Sequence, residues 1–332
     1  MVVLPVVTFG LHSGGQRSAD RRYVVHADLT APRVSLKGLR YEGGVPGVVA
    51  AAGAVVLGDQ GEGDIRDATV LRKVLSGTNA VVHLAAIVGD PACARRQTLA
   101  REVNLEASLQ LLRLSQELGI QRFIFASTCS NYGRTADPLV YLTEDSDLRP
   151  VSLYAETKVA VERILLNEEP ANGLATCVLR FATVFGLSPR MRFDLTVNQF
   201  TMELLTHGKL VVFGEQFWRP YIHVRDVAEA ICLALNAPVE KTRKRVYNVG
   251  DSSQNYQKGK LAELIRAQTS EQAVIEYVHK DEDPRDYRVS FERISRQLGF
   301  RITRTVEDGI REVAQVVREG IITDFNNPAF MN

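Results

Sequence analysis

Short apolar, β-branched runs alternate along the chain with segments whose apolar residues recur at helical spacing. AVVHLAA (80–86) reads as a strand running into a loop. LEASLQLLRLSQELGI (105–120) carries Leu109, Leu112 and Leu118 at helical intervals, with Gly119 as a stop. RFIFAST (122–128) is the next buried strand, YAETKVAVERILL (154–166) the next helix, and TCVLRFATVFG (176–186) a strand again. Such alternation predicts an α/β protein: a Rossmann-like, doubly wound parallel sheet with helices on both faces. Ligands of such sheets collect at the carboxyl ends of the strands. That rule draws Ala85, Ala86, Ser127, Thr128 and the residues after Ala182 to one mouth.

The two ends of the chain read differently. Residues 189–235 contain a helix, a short strand, a turn and another helix; RVYNVG (245–250) reads as a strand, and 260–269 and 290–297 as short helices. The expected organisation is a dinucleotide-binding core over 1–186, atypical in its first 62 residues. Residues 187–332 would form mainly a smaller mixed α/β substrate lobe, with segments returning to the core. Near the start, VVLPVVTF and RRYVVHADL (21–29) are strand candidates, separated by GLHSGGQRSAD. Gly10, Gly14 and Gly15 there give G-x-x-x-G-G, a degenerate form of the glycine loop that lets a backbone approach a pyrophosphate. An ordinary glycine-bearing surface turn explains them equally well.

Composition removes several function classes. Among 332 residues, 40 are Lys or Arg and 39 Asp or Glu, for a net charge of +1. That balance gives no support for bulk binding to nucleic acid or membrane. Arginine supplies most of the positive charge, and its rigid fork suits phosphate. Cys93, Cys129, Cys177 and Cys232 form no C-x-x-C pair, which fits a reduced, cytoplasmic protein. No apolar run is long enough to span a bilayer, and the N-terminus does not read as a secretory signal. The six histidines form no metal-binding spacing, so no metal is expected, and His83, on an apolar strand, reads as core. In HVRDVAEA, His223 and Asp226 read as the start of a helix, with Asp226 bonding local backbone.

Candidate chemistry centres on FIFASTCSNYG (123–133) and YAETK (154–158). On a helix, Tyr154 and Lys158 share a face. A phenol titrates near 10, and an adjacent ammonium favours the phenolate, so the spacing predicts a lowered Tyr154 pKa. Tyr154 would then exchange a proton with a sugar hydroxyl, Lys158 hold cofactor ribose hydroxyls, and Thr128 align the substrate oxygen. A second pair at this spacing, Tyr256 and Lys260, lies in polar NYQKGK with Gly259 between them and reads as ordinary surface.

The chain resembles an extended short-chain dehydrogenase/reductase of the nucleotide-sugar epimerase/dehydratase family. The pieces that carry the likeness are GDIRD (63–67), VVHLAA (81–86), REVNLEASLQLL (101–112), FIFASTCSNYG, YAETK, LRFATVFG (179–186) and RPYIHVRDVAEA (219–230). The resemblance implies a catalytic trio of Thr128, Tyr154 and Lys158. For the cofactor it implies Asp64 and Ile65 beside adenine, and Leu84, Ala85 and Ala86 in the loop after a strand. Asn104, Ser127, Phe181 and Val184 complete that set. For a nucleotide-diphosphate sugar it implies Arg219, Arg285 and, more loosely, Asn198 at the diphosphate, with Cys129 and Ser130 at the sugar. It also implies NAD, with NADP open, and a homodimer pairing through helices near 105–118 and 154–166.

Two departures qualify the likeness. The family's G-x-x-G-x-x-G opening is absent, and Lys37 falls where an acidic residue would hold the adenosine ribose. A divergent terminus with a remodelled cofactor site is one explanation; a reading frame disturbed between about residues 5 and 62 is the other. As to the reaction, a 4,6-dehydratase needs an added acid and base after the catalytic Thr, and Cys129 and Ser130 supply neither. Epimerisation at C4 by removal and return of a hydride needs only the trio. Reduction of a nucleotide-ketosugar and a catalytically impaired sugar-nucleotide-binding homologue stay open as alternatives.

Overall fold

The computed structural model describes residues 23–26, 54–57 and 64–325, apart from 136, 138, 189, 190 and 284. Gly10, Gly14, Gly15 and Lys37 therefore lie outside the described residues. Six parallel strands build the main sheet: β1 (Tyr23–His26), β2 (Ala54–Leu57), β3 (Ala80–His83), β4 (Arg122–Thr128), β5 (Ala175–Phe181) and β6 (Arg245–Val249). Their spatial order is β6-β5-β4-β3-β1-β2. From β1 the chain moves outward to β2, then returns to place β3 on the other flank of β1. The order reverses there, which is the point where open α/β sheets receive ligands. Of the two early strand candidates, RRYVVHADL supplies β1; VVLPVVTF lies outside the described residues.

Central strands are buried on both faces, so every residue of β3 and β5 is buried, including the polar His83, Thr176 and Arg180. Helices α1 (Ala68–Leu75), α2 (Ala107–Glu117) and α3 (Leu153–Asn167) pack Leu71, Leu75, Leu111, Leu112, Val161 and Leu165 against Phe123, Phe125 and Val178 of the sheet. The start of α1 is capped by Asp67, whose carboxylate accepts from the N–H groups of Thr69 and Val70; α3 begins at Ser152, which accepts from Ala155. β6 comes from the half expected to form the lobe, so the chain re-enters the sheet between segments of that half.

The region expected to form the lobe contains α4 (Thr196–His207), α5 (Val224–Asn236), α6 (Val306–Arg318) and small sheets, but α5 packs Val227, Ile231 and Ala234 against Ile124, Ala126 and Leu179 and so covers the second face of the main sheet. Residues 183–185 pair parallel with 218–223, which pair antiparallel with 255–257; 209–213 pair parallel with 274–278. Two buried polar contacts tie α5 and α6 in place. Asp226, fully buried, accepts from the backbone N–H groups of Thr303 and Arg304 at 2.9 and 3.1 Å. The sequence suggested local backbone partners for Asp226, but these lie almost eighty residues downstream, where the chain turns into α6. His223 caps α5 by accepting from Arg225 and meets Glu312 of α6 at 2.9 Å.

Gly186, just after the 183–185 strand, has φ of 101°, and a Cβ there would lie 2.2 Å from His223 Nε2. Gly299 also has positive φ, 74°, but open space around it. Gly186→Ala is expected to cost about 2–4 kcal/mol, combining backbone strain with overpacking. Gly299→Ala is expected to cost about 1 kcal/mol from the left-handed conformation alone. Thermal or urea unfolding of both variants checks the ranking.

Candidate active site

The carboxyl end of β4 and the first two turns of α3 form the centre of the site. Lys158 is 1% exposed, and its ammonium donates to the Ala126 carbonyl at 2.8 Å. It lies 4.6 Å from the centroid of the Phe125 ring and 5.9 Å from that of Tyr154. The expected pairing of Tyr154 and Lys158 on one helix face is therefore present. Two residues beyond Ala126, Thr128 ends β4 half-exposed, its hydroxyl accepting from the Ser130 N–H at 3.1 Å and capping the short turn Cys129–Tyr132.

The electrostatics depart from the sequence expectation. Burial pushes the Lys158 ammonium down to about 8, against the opposing influence of Cys93 and Glu162. Burial also pushes the Tyr154 phenol well above its ordinary value; Cys93 and Asp90 add to that shift, and Arg192 opposes it. A lowered Tyr154 pKa, predicted from the i,i+4 spacing, is thus corrected: loss of solvation is the largest influence and sets the direction. In this state Tyr154 is a proton donor rather than a phenolate.

Beneath the trio lies a buried polar network. Glu162 stands four residues after Lys158 on α3. Its carboxylate receives Arg180 of β5 through two guanidinium nitrogens, at 3.0 and 2.7 Å, with both side chains under 5% exposed. Asn131 donates to the same carboxylate at 2.7 Å, and the Ser127 hydroxyl donates to it as well. Arg180 also donates to the Tyr132 hydroxyl, which donates to Asn248 of β6 at 2.7 Å. Ser127 was expected at the cofactor; its hydroxyl belongs to this network.

Cys129 is also corrected. Its side chain is 1% exposed, donates to the Arg180 carbonyl at 3.3 Å, and has its thiol pKa raised by burial. It faces the core and offers nothing to a sugar. Ser130 is half-exposed and bonds Tyr287, so it stays near the mouth.

Across the mouth, the loop after β3 is held by Asn104, in a wide π-helical turn, Glu102–Glu106. The side-chain amide of Asn104 grips Ile87 at both ends, accepting from its N–H at 2.7 Å and donating to its carbonyl at 2.9 Å. Ala85 and Ala86 are 7% and 4% exposed, and Ile65 packs against the cluster containing Ala86 and Tyr154. Asp64 is clasped by Arg66, whose guanidinium holds the carboxylate below its usual range. Leu84, Phe181 and Val184 lie in the apolar core. His83 instead packs in the cluster under α1, α2 and α3, its ring near Phe123 and Phe125 and its Nε2 2.8 Å from Ser108 Oγ.

This arrangement has a clear family. The model of the NAD dependent epimerase/dehydratase family matches residues 44–250. The chain belongs to that family. It is 26% identical to a UDP-glucose 4-epimerase of Lactobacillus helveticus over 57% of this chain and 62% of that one. It is 29% identical to a dTDP-glucose 4,6-dehydratase of Streptomyces griseus over 75% of this chain and 74% of that one. The chain thus spans about three fifths of the length of the first relative. In fold, it is similar to a UDP-glucose 4-epimerase of Thermotoga maritima solved with UDP-glucose, at 24% identity and a TM-score of 0.69, over 81% of this chain and 86% of that one.

Of the remaining residues suggested by resemblance to this family, Arg219 meets the Asp283 carboxylate with its guanidinium, whereas Arg285 reaches it with its backbone N–H and turns its guanidinium to Asp90. Asn198 spends both ends of its amide on backbone, accepting from Gly186 and donating to the Arg192 carbonyl. Tyr256 lies in a strand and Lys260 in the helix after it, so they share no helix face. Sequence reasoning missed Glu162, Arg180, Lys258, Asp283 and Asp90. Only Glu162 carried a visible signal: it continues the Tyr154–Lys158 helical face by one more turn.

Two measurements test this geometry. Glu162→Ala strands the buried Arg180 charge and is expected to destabilise the protein by about 3–5 kcal/mol in urea unfolding. Lys158 titrates near 8 when folded and near 10.5 when unfolded. Between those values the unfolded chain holds the extra proton, so Lys158 makes stability rise with pH across that window. Wild type minus Lys158→Met, measured from pH 8 to 10, is expected to show that rise; a flat difference overturns it.

Proposed function

We propose that this chain is an NAD(P)-dependent nucleotide-sugar epimerase that oxidises sugar C4 transiently and returns the hydride to the opposite face. What supports the reading is that Lys158, on one α3 face with Tyr154, is anchored to Ala126 of β4, the strand that Thr128 ends, beside the reversal in strand order. The family's cofactor chemistry fits the donors present. Lys158 commits one N–H to Ala126 and has two more for ribose hydroxyls. Small Ala85 and Ala86 leave room for close approach, and Ile65 offers an apolar wall. When bound, the nicotinamide supplies the hydride acceptor and donor.

Within that site, Thr128 aligns the C4 oxygen and Tyr154 exchanges its proton. Burial favours the protonated phenol, which suits the half-reaction in which a keto oxygen is protonated. The forward half-reaction needs the phenolate, which the Lys158 ammonium on the same helix face would favour. Arg219 and Arg285 would receive the diphosphate. Absence of a carboxylate pair after Thr128 supports epimerisation over dehydration. The carboxylate that bears on Tyr154, Asp90, already accepts from Ser152 at 2.6 Å and meets Arg285 at 3.2 Å. Pairing of two copies through α2 and α3 belongs to the same proposal, and light scattering checks it.

The deciding experiment is denaturation of protein purified without added nucleotide, with released dinucleotide identified by absorbance and mass, followed by an assay of UDP-glucose and UDP-galactose interconversion. Bound NAD or NADP is expected. Tyr154→Phe is expected to keep the dinucleotide and lose activity about 10²–10⁴-fold. A chain that neither retains nor binds a dinucleotide sinks the proposal. Interconversion that demands added reduced cofactor, and consumes it, favours the ketosugar reductase instead.

A further inference from the structure

Two cations and a backbone N–H meet one carboxylate beyond the main sheet. Arg219 Nη2 lies 2.8 Å from Asp283 Oδ1, and Lys258 Nζ lies 3.5 Å from Asp283 Oδ2. The backbone N–H of Arg285 donates to Asp283 Oδ1 at 2.9 Å. The Arg285 guanidinium turns instead to Asp90, at 3.2 Å. These are sheltered groups: the side chains of Arg219, Lys258 and Asp283 are 10%, 18% and 13% exposed. Aromatic rings hold the two inner cations from behind, Tyr287 at 5.7 Å from Arg219 and Phe217 at 5.5 Å from Lys258.

A guanidinium, an ammonium and a backbone N–H converging on a single anion is the donor set that phosphate oxygens take. Here a carboxylate of the chain itself fills it. Burial works against the Asp283 charge, yet Arg219, the Arg285 N–H and Lys258 together hold its pKa below the usual value. Counted by charge, Arg219, Lys258 and Arg285 face Asp283, Asp90 and Glu215, which also bears on Lys258, three positive groups against three negative ones. Releasing Asp283 would leave three cations against two carboxylates, a net positive site.

We propose that Asp283 is the resident counter-anion of a phosphate site formed by Arg219, Lys258 and the Arg285 backbone, and that an incoming nucleotide diphosphate displaces it. The identity of the ligand rests on the nucleotide-sugar reading; the displacement does not. Asp283 keeps the cations aligned and unrepelled between turnovers, and it lowers affinity by the work of its own removal. Lys258, which no sequence motif marked, becomes a direct phosphate ligand once Asp283 leaves.

The test is calorimetric titration of inorganic pyrophosphate into the full chain at one fixed salt concentration. Wild type, Asp283→Asn, Asp283→Ser and Lys258→Met are compared, each with a melting curve. Both Asp283 variants are expected to bind about five- to tenfold more tightly, and Lys258→Met several-fold more weakly, as loss of a competing anion and of a cation require. Unchanged or weaker binding by the folded Asp283 variants overturns the proposal. So does absence of pyrophosphate binding in all four proteins. If both Asp283 variants fail to fold, the carboxylate is a structural partner and the proposal falls. Pyrophosphate carries no sugar and undergoes no hydride transfer, so a failure of epimerisation leaves this result standing, and a failure here leaves a measured epimerisation standing.

Discussion

A buried pair of opposite charges, Glu162 and Arg180, organises the catalytic end of this protein. Both groups have left water, and each is tolerable only because the other is present and the surrounding lone pairs and N–H groups are filled. Filling them enlists Ser127 from β4, Asn131 and Tyr132 from the turn beyond it, and Asn248 from β6. One electrostatic requirement thus sets the relation of helix α3 to three adjacent strands. Tyr154 and Lys158 ride on that helix, and Thr128 ends one of those strands. Their mutual placement follows from a contact that itself performs no chemistry.

The same requirement links the two parts of the chain. Asn248 accepts the last proton in the relay from Arg180 through Tyr132, and its backbone N–H donates to Glu144. β6 is therefore part of the polar base of the site as well as an edge strand of the sheet. A second bridge runs through Asp90, which bonds Ser152 at the start of α3 with one oxygen and Arg285 of the lobe with the other. Asp90 thus lies between Arg285 and the start of α3, and its charge also bears on Tyr154.

Legibility from sequence tracked the range of the interaction involved. Elements β4, α3 and β5 were readable because long apolar periods are local, and the Tyr154–Lys158 face follows from helix geometry alone. β2 was not foreseen: four residues within a Gly, Ala and Val-rich stretch carry little periodic signal. The direction of Cys129 escaped because a single tight turn after Thr128 rotates it into the core. The Tyr154 pKa escaped because burial is a sum over many elements; Cys93, Asp90, Arg192 and Tyr287 all bear on it. Lys258 and Asp283 escaped because their meaning is a pairing across 25 residues of polar chain.

The π-helical turn at Asn104 has an evolutionary implication. Such a turn is an ordinary helix carrying one surplus residue, and residues 102–106 absorb that surplus where the loop after β3 needs its clasp. Deleting one residue there would restore regular helical bonding and relieve the local irregularity. It would also rotate everything on one side of the deletion by about 100° relative to the other. Either Asn104 would lose Ile87 or the α2 face bearing Leu111 and Leu112 would turn from the sheet. A length change of one residue, silent in most loops, is therefore forbidden in this helix, and homologues that keep the clasp should keep the segment gap-free.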